Sequence, residues 1–328
     1  MKAWRVKELG DPNEALALED MEDPSPESGE VIVEVEAAAM NFFDILLCKG
    51  EYQEKPDLPF TPGAEVSGTI VTVGDGVELE SGRRVIATPP LPRGGFAERV
   101  AVPASAVYPI PDEMPATDAA AMHIVYQTAY FALHRRAGLK EGETVLVHAG
   151  AGGVGSAAIQ LARAAGARVL ATAGGEEKVG ICRDLGAEVA IDYKEEDFIG
   201  TVKEATDGRG ADVVFDPVGG DVFDGSRRCV AFEGRIVVIG FAGGRIPEAP
   251  ANHLLVKNYS VLGLHWGLYG KVMPYLIRET HEELTRLYER GDIKPLIYKE
   301  FPFEEVPEAL EMLGSRGTYG KLVTQPHG

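Results

Sequence analysis

The sequence predicts an α/β protein of two domains, a small strand-rich β-barrel and a doubly wound parallel sheet. Three observations predict this. At 328 residues the chain is longer than one hydrophobic core usually serves. Up to about residue 122 it consists of short strands bounded by glycine and proline, whereas from Met122 apolar runs alternate with helical patterns. Within that second part, a strand passes through a glycine-rich turn straight into a helix, over Gly142 to Arg163.

In the first part, Val31–Val35 alternates as a half-buried strand does, and Pro24 to Gly29 supplies the turn into it. Ala37 to Asp44 leaves that strand and begins a short helix. Lys49-Gly50-Glu51-Tyr52 and a proline-rich loop lead to Pro62–Gly68. Further strands are predicted at Thr69–Val73, Arg84–Ala87 and Phe96–Val102.

In the second part, Tyr126–Leu133 is helical and leads to the strand Thr144–Val147. Strands then recur at Arg168–Ala173, Val189–Asp192, Ala211–Phe215, Arg235–Ile239 and Tyr259–Leu264. Helical stretches at Glu176–Leu185, Glu195–Thr206 and Val222–Ala231 separate them. Six strands with helical crossovers imply a doubly wound parallel sheet, with its ligand crevice at the strands' C-terminal ends. Beyond it, Leu276, Ile277, Leu284, Leu287 and Tyr288 form an amphipathic stripe ending at Gly291. A short helix follows Val306-Pro307 and stops near Gly314, and Lys321-Leu322-Val323 is a last strand.

Composition excludes several classes. Fifty-one acidic residues against thirty-two basic give a formal charge of −19, which repels nucleic acid and anionic membrane. No apolar run approaches a membrane span, and the charged start MKAWRVKELG lacks the apolar core of a signal peptide. A soluble cytoplasmic protein is expected. Cys48, Cys182 and Cys229 lie far apart, which suits reduced, buried thiols rather than a disulfide framework or a cysteine-rich metal site.

The glycine turn carries the first chemistry. Gly150-x-Gly152-x-x-Gly155, with Gly153 and Val154 between, follows a strand and opens a helix marked by Val154, Ala158, Leu161, Ala162 and Ala165. The first glycine makes the tight turn, the second lets backbone approach a pyrophosphate, and the third lets helix and strand pack closely. The helix N-terminus then favours the phosphates. The order Gly-Glu-x-x-Leu-x-x-x-Gly-Ala-Gly-Gly-x-Gly-x-x-x-x-Gln-x-x-Arg, from Gly142 through Gln160 to Arg163, resembles the signature of quinone oxidoreductases and zeta-crystallin. These are zinc-free members of the medium-chain dehydrogenase/reductase superfamily. The likeness covers nearly the whole chain, including Pro62-Gly-x-Glu-x-x-Gly68. It implies a GroES-like β-barrel catalytic domain, 1–122 with 267–328, and a Rossmann NADPH-binding domain, 123–266.

The second strand ends Thr172-Ala173-Gly174-Gly175 with no carboxylate at its tip to hold an NAD ribose. Lys178 stands where a cation can meet a 2′-phosphate, and Tyr193 follows the third strand on the same rim. Similar reductases use a lysine and a tyrosine at these places, so NADPH is the expected cofactor. Glu176 and Glu177 offset part of the lysine's charge. The resemblance also implies cofactor contacts from Asn41, Thr128, Val218 in Asp216–Gly220, Gly240, Phe241 and Ala242, and Leu264, His265 and Trp266.

Zinc-dependent relatives carry a cysteine in the segment matching Ala39–Phe42 and a four-cysteine lobe further on. This chain has neither, and Glu65 has no Cys or His partners at ligand spacing, so a structural role is expected for it. Positioning alone can supply about 7–11 kcal/mol of a hydride-transfer barrier. The resemblance puts Asn41 and Tyr52 in the acceptor pocket, with Tyr52 a proton-donor candidate. It thus implies an NADPH-dependent reductase of a quinone. An enoyl reductase acting on 2-enals, enones or enoyl thioesters is the alternative. A third possibility is an NADPH-binding regulatory or RNA-binding protein, which the scarcity of basic clusters weakens. The apolar strand Tyr259–Leu264 lies at a sheet edge open to another chain, and in the family its counterparts join two sheets, so a homodimer is expected.

Overall fold

The computed structural model describes residues 1–327. The chain divides into two compact units, Met1–Ile124 together with the segment from Pro295 onward, and Val125–Lys294. The first unit begins with β1 (Lys2–Val6), α1 (Pro12–Ala15), β2 (Leu16–Asp20), β3 (Glu30–Ala39) and α2 (Phe42–Lys49). It continues through β4 (Val66–Val73), β5 (Arg84–Ala87), β6 (Arg99–Pro103) and β7 (Val107–Pro109) into α3 (Ala116–Tyr130). The second unit holds β8 (Thr144–Val147), α4 (Gly153–Ala164), β9 (Arg168–Ala173), α5 (Glu176–Asp184), β10 (Val189–Asp192) and α6 (Phe198–Ala205). After these come β11 (Ala211–Asp216), α7 (Gly220–Cys229), β12 (Val230–Val238), α8 (Ala251–Lys257), β13 (Ser260–Gly263), α9 (Trp266–Val272) and α10 (Pro274–Glu289). The chain ends with β14 (Ile297–Pro302), α11 (Val306–Gly314) and β15 (Lys321–Gln325).

In the first unit, seven strands form a sheet in the order β14-β15-β3-β4-β5-β7, with β6 beside β3. β3 organises it. One edge pairs with β4, while the other meets β6 at Glu30–Glu34 and β15 at Ala38 and Ala39. Two register shifts against β4 bend the strand, as extra residues in a ladder do. Val31, Val33 and Val35 alternate into a core shared with Ile70, Val85, Phe96 and Leu322. The small hairpin β1–β2 adds Trp4 and Leu16 to the same core.

The six-stranded sheet of the second unit is parallel throughout, in the order β10-β9-β8-β11-β12-β13. Strand order reverses between β8 and β11, so the ligand crevice of such a sheet lies past the C-terminal ends of these two strands. Both faces are covered, and Leu146, Leu170, Ile191, Val214 and Ile236 are buried without alternation.

The helical part opens at Ala116, ahead of the expected change at Met122, while β5, β8, β9 and β10 have the predicted bounds. Four differences stand out. The helix expected from Glu195 begins at Phe198, because the Asp197 carboxylate caps Ile199 N–H and Gly200 N–H. β12 starts at Val230 rather than Arg235, running through a corner where Glu233 has φ of 58°. The strand expected at Phe96–Val102 is Arg99–Pro103. The return to the first unit comes at Pro295, not near 267. The intervening helices stay with the second unit, where Gln127 Nε2 donates to Ile277 O (2.8 Å) and Gln160 Nε2 to Lys294 O (3.0 Å). No helix among the described residues is long and apolar enough to cross a membrane. All three cysteines are free and buried, and burial pushes their thiols up to about 11 or 12.

Candidate cofactor and active site

β8 delivers the chain to the glycine turn at the switch point. A Cβ on Gly150 would stand 2.8 Å from Cys182 Sγ and 3.0 Å from Ala171 Cβ, and one on Gly155 only 2.2 Å from Ala149 O. Both positions therefore require glycine for packing. The helix α4 starts after Gly152 with no side-chain cap, so the first-turn N–H groups of Gly153, Val154 and Gly155 have no intrahelical acceptor. A dozen residues of aligned peptide dipoles stand behind them. This is a cradle for a diphosphate, and the residues fit the group.

Beneath the turn, His148 ties three elements together. Its Nδ1 lies 2.9 Å from Thr172 Oγ1 and its Nε2 2.8 Å from Ser226 Oγ. Ser226 spends its proton on Val222 O (2.7 Å), so His148 Nε2–H must donate to Ser226 and Thr172 must donate to Nδ1. The ring is held neutral, and burial pushes its pKa down to about 3.

At the tips of β9 and β10, Lys178, Tyr193 and Lys194 come close together. Tyr193 lies over Gly174, where a Cβ would approach its hydroxyl to 2.6 Å. The same Cβ would be 3.1 Å from Lys194 Cε. Asp192 fixes the corner, its Oδ1 accepting from Gly175 N–H and Lys194 N–H at 3.0 Å each. The Lys178 ammonium, on the first turn of α5, is held below its ordinary value first by burial and then by the charge of Lys194. Two cations and a phenol thus share one rim with Ala173 and Gly174. Lys194 was not singled out in the sequence, where it starts the charged run Lys194-Glu195-Glu196-Asp197.

Further along the sheet edge, Asp216 at the end of β11 folds its loop back. Its Oδ1 accepts from Val218 N–H (2.8 Å) and Gly219 N–H (2.9 Å). Burial raises its pKa. Ala242 N–H donates to Pro217 O (3.0 Å) and Gly243 N–H to Val218 O (2.8 Å). The structure therefore brings Val218, Gly240, Phe241 and Ala242 into one pair of crossing loops. Leu264 N–H bonds Val238 O (3.1 Å), His265 stands just before α9 without a side-chain capping bond, and Trp266 begins the helix. Thr128 is half-buried on α3.

Asn41 and Tyr52 belong to the first unit and flank α2. Asn41 N–H donates to the buried Asp44 carboxylate (2.8 Å), whose other oxygen accepts from Gly63 N–H (3.2 Å). Burial pushes Asp44 up to about 7. The Asn41 amide is held at both ends, with Nδ2 donating to Glu65 Oε1 (3.0 Å) and Oδ1 accepting from Lys321 Nζ (2.7 Å). The buried Lys321 ammonium also donates to Glu65 Oε1 (2.8 Å) and Met40 O (2.8 Å). Ile124 N–H satisfies Glu65 Oε2 (2.8 Å). A buried ion pair persists when its remaining donors and acceptors are matched, and here they are. Tyr52 packs its ring on Phe43 with centroids 5.3 Å apart, and burial raises its phenol above the ordinary value.

Comparison with known proteins decides the family. Residues 27–112 match the alcohol dehydrogenase GroES-like domain and residues 153–284 the zinc-binding dehydrogenase domain. The quinone oxidoreductase-like protein 2 homolog of Nematostella vectensis is 43% identical over 98% of this chain and 88% of that protein. The chain belongs to the quinone oxidoreductase family. The Homo sapiens quinone oxidoreductase is 32% identical over 98% of this chain and 97% of that one. The crystal structure of Escherichia coli quinone oxidoreductase complexed with NADPH superimposes with a TM-score of 0.91 at 30% identity, covering 99% of this chain and 100% of that one.

Within this family, one matched domain is described as zinc-binding, yet the residues here do not fit the ion. Among the described residues no three of His, Cys, Asp and Glu gather as a metal site. The Glu65 carboxylate is taken up by an ammonium instead. Lys321, 256 residues away in sequence from Glu65, is the partner that local spacing could not show.

Proposed function

We propose that the protein is an NADPH-dependent, zinc-free reductase of a quinone-type small molecule. The observation that carries it is the corner formed by Lys178, Tyr193 and Lys194 beside an uncapped α4, which offers local positive charge in a chain of charge −19. The likeness to an NADPH-complexed quinone oxidoreductase supports the same cofactor. In this proposal the N–H groups of Gly153, Val154 and Gly155 hold the diphosphate, and Lys178, Tyr193 and Lys194 read the 2′-phosphate. The loops at Val218 and Gly240–Ala242, with Thr128, Leu264, His265 and Trp266, bind the nicotinamide half. NADPH supplies the hydride. Asn41, its amide locked by Glu65 and Lys321, and Tyr52 serve the acceptor. With its pKa raised, Tyr52 stays protonated at neutral pH and donates a hydrogen bond. The protein acts as a cytoplasmic homodimer joined through β13.

Tyr52 also favours a second reading, reduction of a conjugated enone or enoyl thioester. Hydride addition to such a bond leaves an enolate that needs a donor at oxygen and a proton at carbon. Positioned proton transfer contributes about 10²–10⁴-fold in rate. A hydroquinone anion is more stable and is protonated by water. The test is anaerobic NADPH oxidation over quinones, 2-enals and enoyl thioesters, with product analysis, in wild type and Tyr52→Phe. Quinone turnover that changes by less than about threefold supports the proposal. Enoyl turnover that exceeds quinone turnover and falls at least about tenfold in the variant establishes the second reading.

A further inference from the structure

The second unit has a cavity of about 280 Å³ lined by Lys203, Arg209, Arg228, Lys257 and Phe232. Its walls come from the end of α6, the turn into β11, the junction of α7 with β12, and the end of α8. The sheet is parallel and the glycine turn follows the C-terminal end of β8, so this cavity lies at the opposite, N-terminal end of the strands. It is separate from the cofactor loops.

Four cations line it and no carboxylate does, in a chain with nineteen more acidic than basic residues. Lys203, Arg228 and Lys257 all lie in the last turns of their helices, where exposed carbonyls attract cations, but of the three only Lys257 bonds such a carbonyl directly. Lys257 Nζ donates to Arg227 O (2.9 Å) at the end of α7. Arg209 is accounted for by Asp212, with Nη1 2.6 Å from Oδ1. The side chains of Lys203 and Arg228 make no hydrogen bond or ion pair among the described residues. Lys203 also presses on its neighbour. The Lys257 ammonium is held below its ordinary value first by burial and then by the charge of Lys203. Like charges gathered this way repel until an anion sits among them. Phe232, 70% exposed at the rim, adds a flat apolar surface.

We propose that this cavity binds a phosphate-bearing small anion. An arginine fork and a lysine point charge are the usual phosphate partners. The volume lies just under the range of about 300–1,000 Å³ typical for drug-sized ligands, which suits a phosphate or diphosphate group better than a dinucleotide. Phe232 supports whatever part of the ligand extends from that group.

Inorganic pyrophosphate, titrated by calorimetry into protein saturated with NADPH, tests this with the cofactor's phosphate sites filled. One site per chain is expected. The Lys203→Gln/Arg228→Gln double variant should bind at least about tenfold more weakly with its NADPH Kd unchanged, while Lys203→Arg stays within about threefold. Absence of binding to wild type, equal affinity in the double variant, loss in Lys203→Arg, or release of NADPH by pyrophosphate would each overturn the proposal. Should NADPH itself not bind, the comparison is made without it against Lys178→Ala. Loss of pyrophosphate in the double variant alone then supports the cavity, and loss in Lys178→Ala alone overturns it.

Discussion

Lys178 and Lys194 stand close enough that the charge of one lowers the pKa of the other, so an anion between them relieves repulsion as well as gaining bonds. A hydrogen bond to a charged group is worth about 1.5–3 kcal/mol, so Lys178→Ala should raise the KM for NADPH about ten- to a hundredfold. Lys194 is exposed, and exposed pairs are worth at most about 1 kcal/mol, so Lys194→Ala should cost about threefold. The KM for NADH should hardly move in either. Steady-state kinetics with both cofactors checks this, and equal losses would remove the 2′-phosphate from the explanation. His148 makes a separate prediction. Its pKa is about 3 when folded and about 6.5 when unfolded. The stability it contributes is present above pH 6.5 and is lost as pH falls towards 3, because the unfolded state gains the proton first. Between pH 7 and 5 that loss is about 2 kcal/mol. Gln can still accept from Thr172 and donate to Ser226 without titrating, so in His148→Gln the drop in urea-unfolding free energy over this interval should shrink by about 2 kcal/mol. An unchanged drop would show that His148 is not the group responsible.

At the scale of elements, β13 is an edge strand whose flanking helices carry exposed apolar residues. Among the described residues it pairs only with β12 and presents its other edge unpaired. Leu255 and Val256 on α8, each 77% exposed, and Leu268 and Val272 on α9 lie on the flanking helices. Edge strands left this way accept a second chain unless a charge blocks them. Leu262 is half-buried on this edge strand. Leu262→Lys should therefore convert the proposed dimer to a monomer in light scattering while leaving NADPH binding intact; a dimer mass retained in that variant would place the interface elsewhere. The elements themselves were legible where one rule dominated. β8 is a short run rich in β-branched residues, β9 runs directly into Gly174-Gly175, and α4 is fixed by its turn. β1, β2 and β14 were not anticipated, because Trp4, Leu16 and Phe301 bury against partners far along the chain and their local alternation is weak. α8 and α9 were missed for the opposite reason, since neither buries a residue and so neither shows a core-facing stripe.

At the scale of the molecule, the two-unit plan was legible because the apolar period changes once, near Met122. The boundary at Pro295 was not, because it depends on Gln127, Gln160 and Arg163 capturing the segment from Ile277 to Lys294 through hydrogen bonds. The candidate site divides the same way. Its glycine turn and the pairing of Lys178 with Tyr193 follow from local spacing, whereas the Asn41–Glu65–Lys321 network joins residues that only the fold brings together. Net charge acts on the assembly as a whole. Each chain carries −19, so in the proposed dimer like fields oppose each other while β13 and its apolar flanks would draw the copies together. The repulsion is long-ranged and screened by salt, with a Debye length of about 30 Å at 0.01 M and about 3 Å at 1 M. The edge hydrogen bonds and apolar contacts are short-ranged and are not screened in this way. Dimer dissociation should accordingly be favoured by low salt. Light scattering at micromolar protein should show a larger dimer fraction in about 0.5 M than in about 0.01 M sodium chloride, with the weight-average mass rising monotonically between them. If the mass fell with added salt, attraction between opposite charges, and not β13 with its apolar flanks, would be holding the pair.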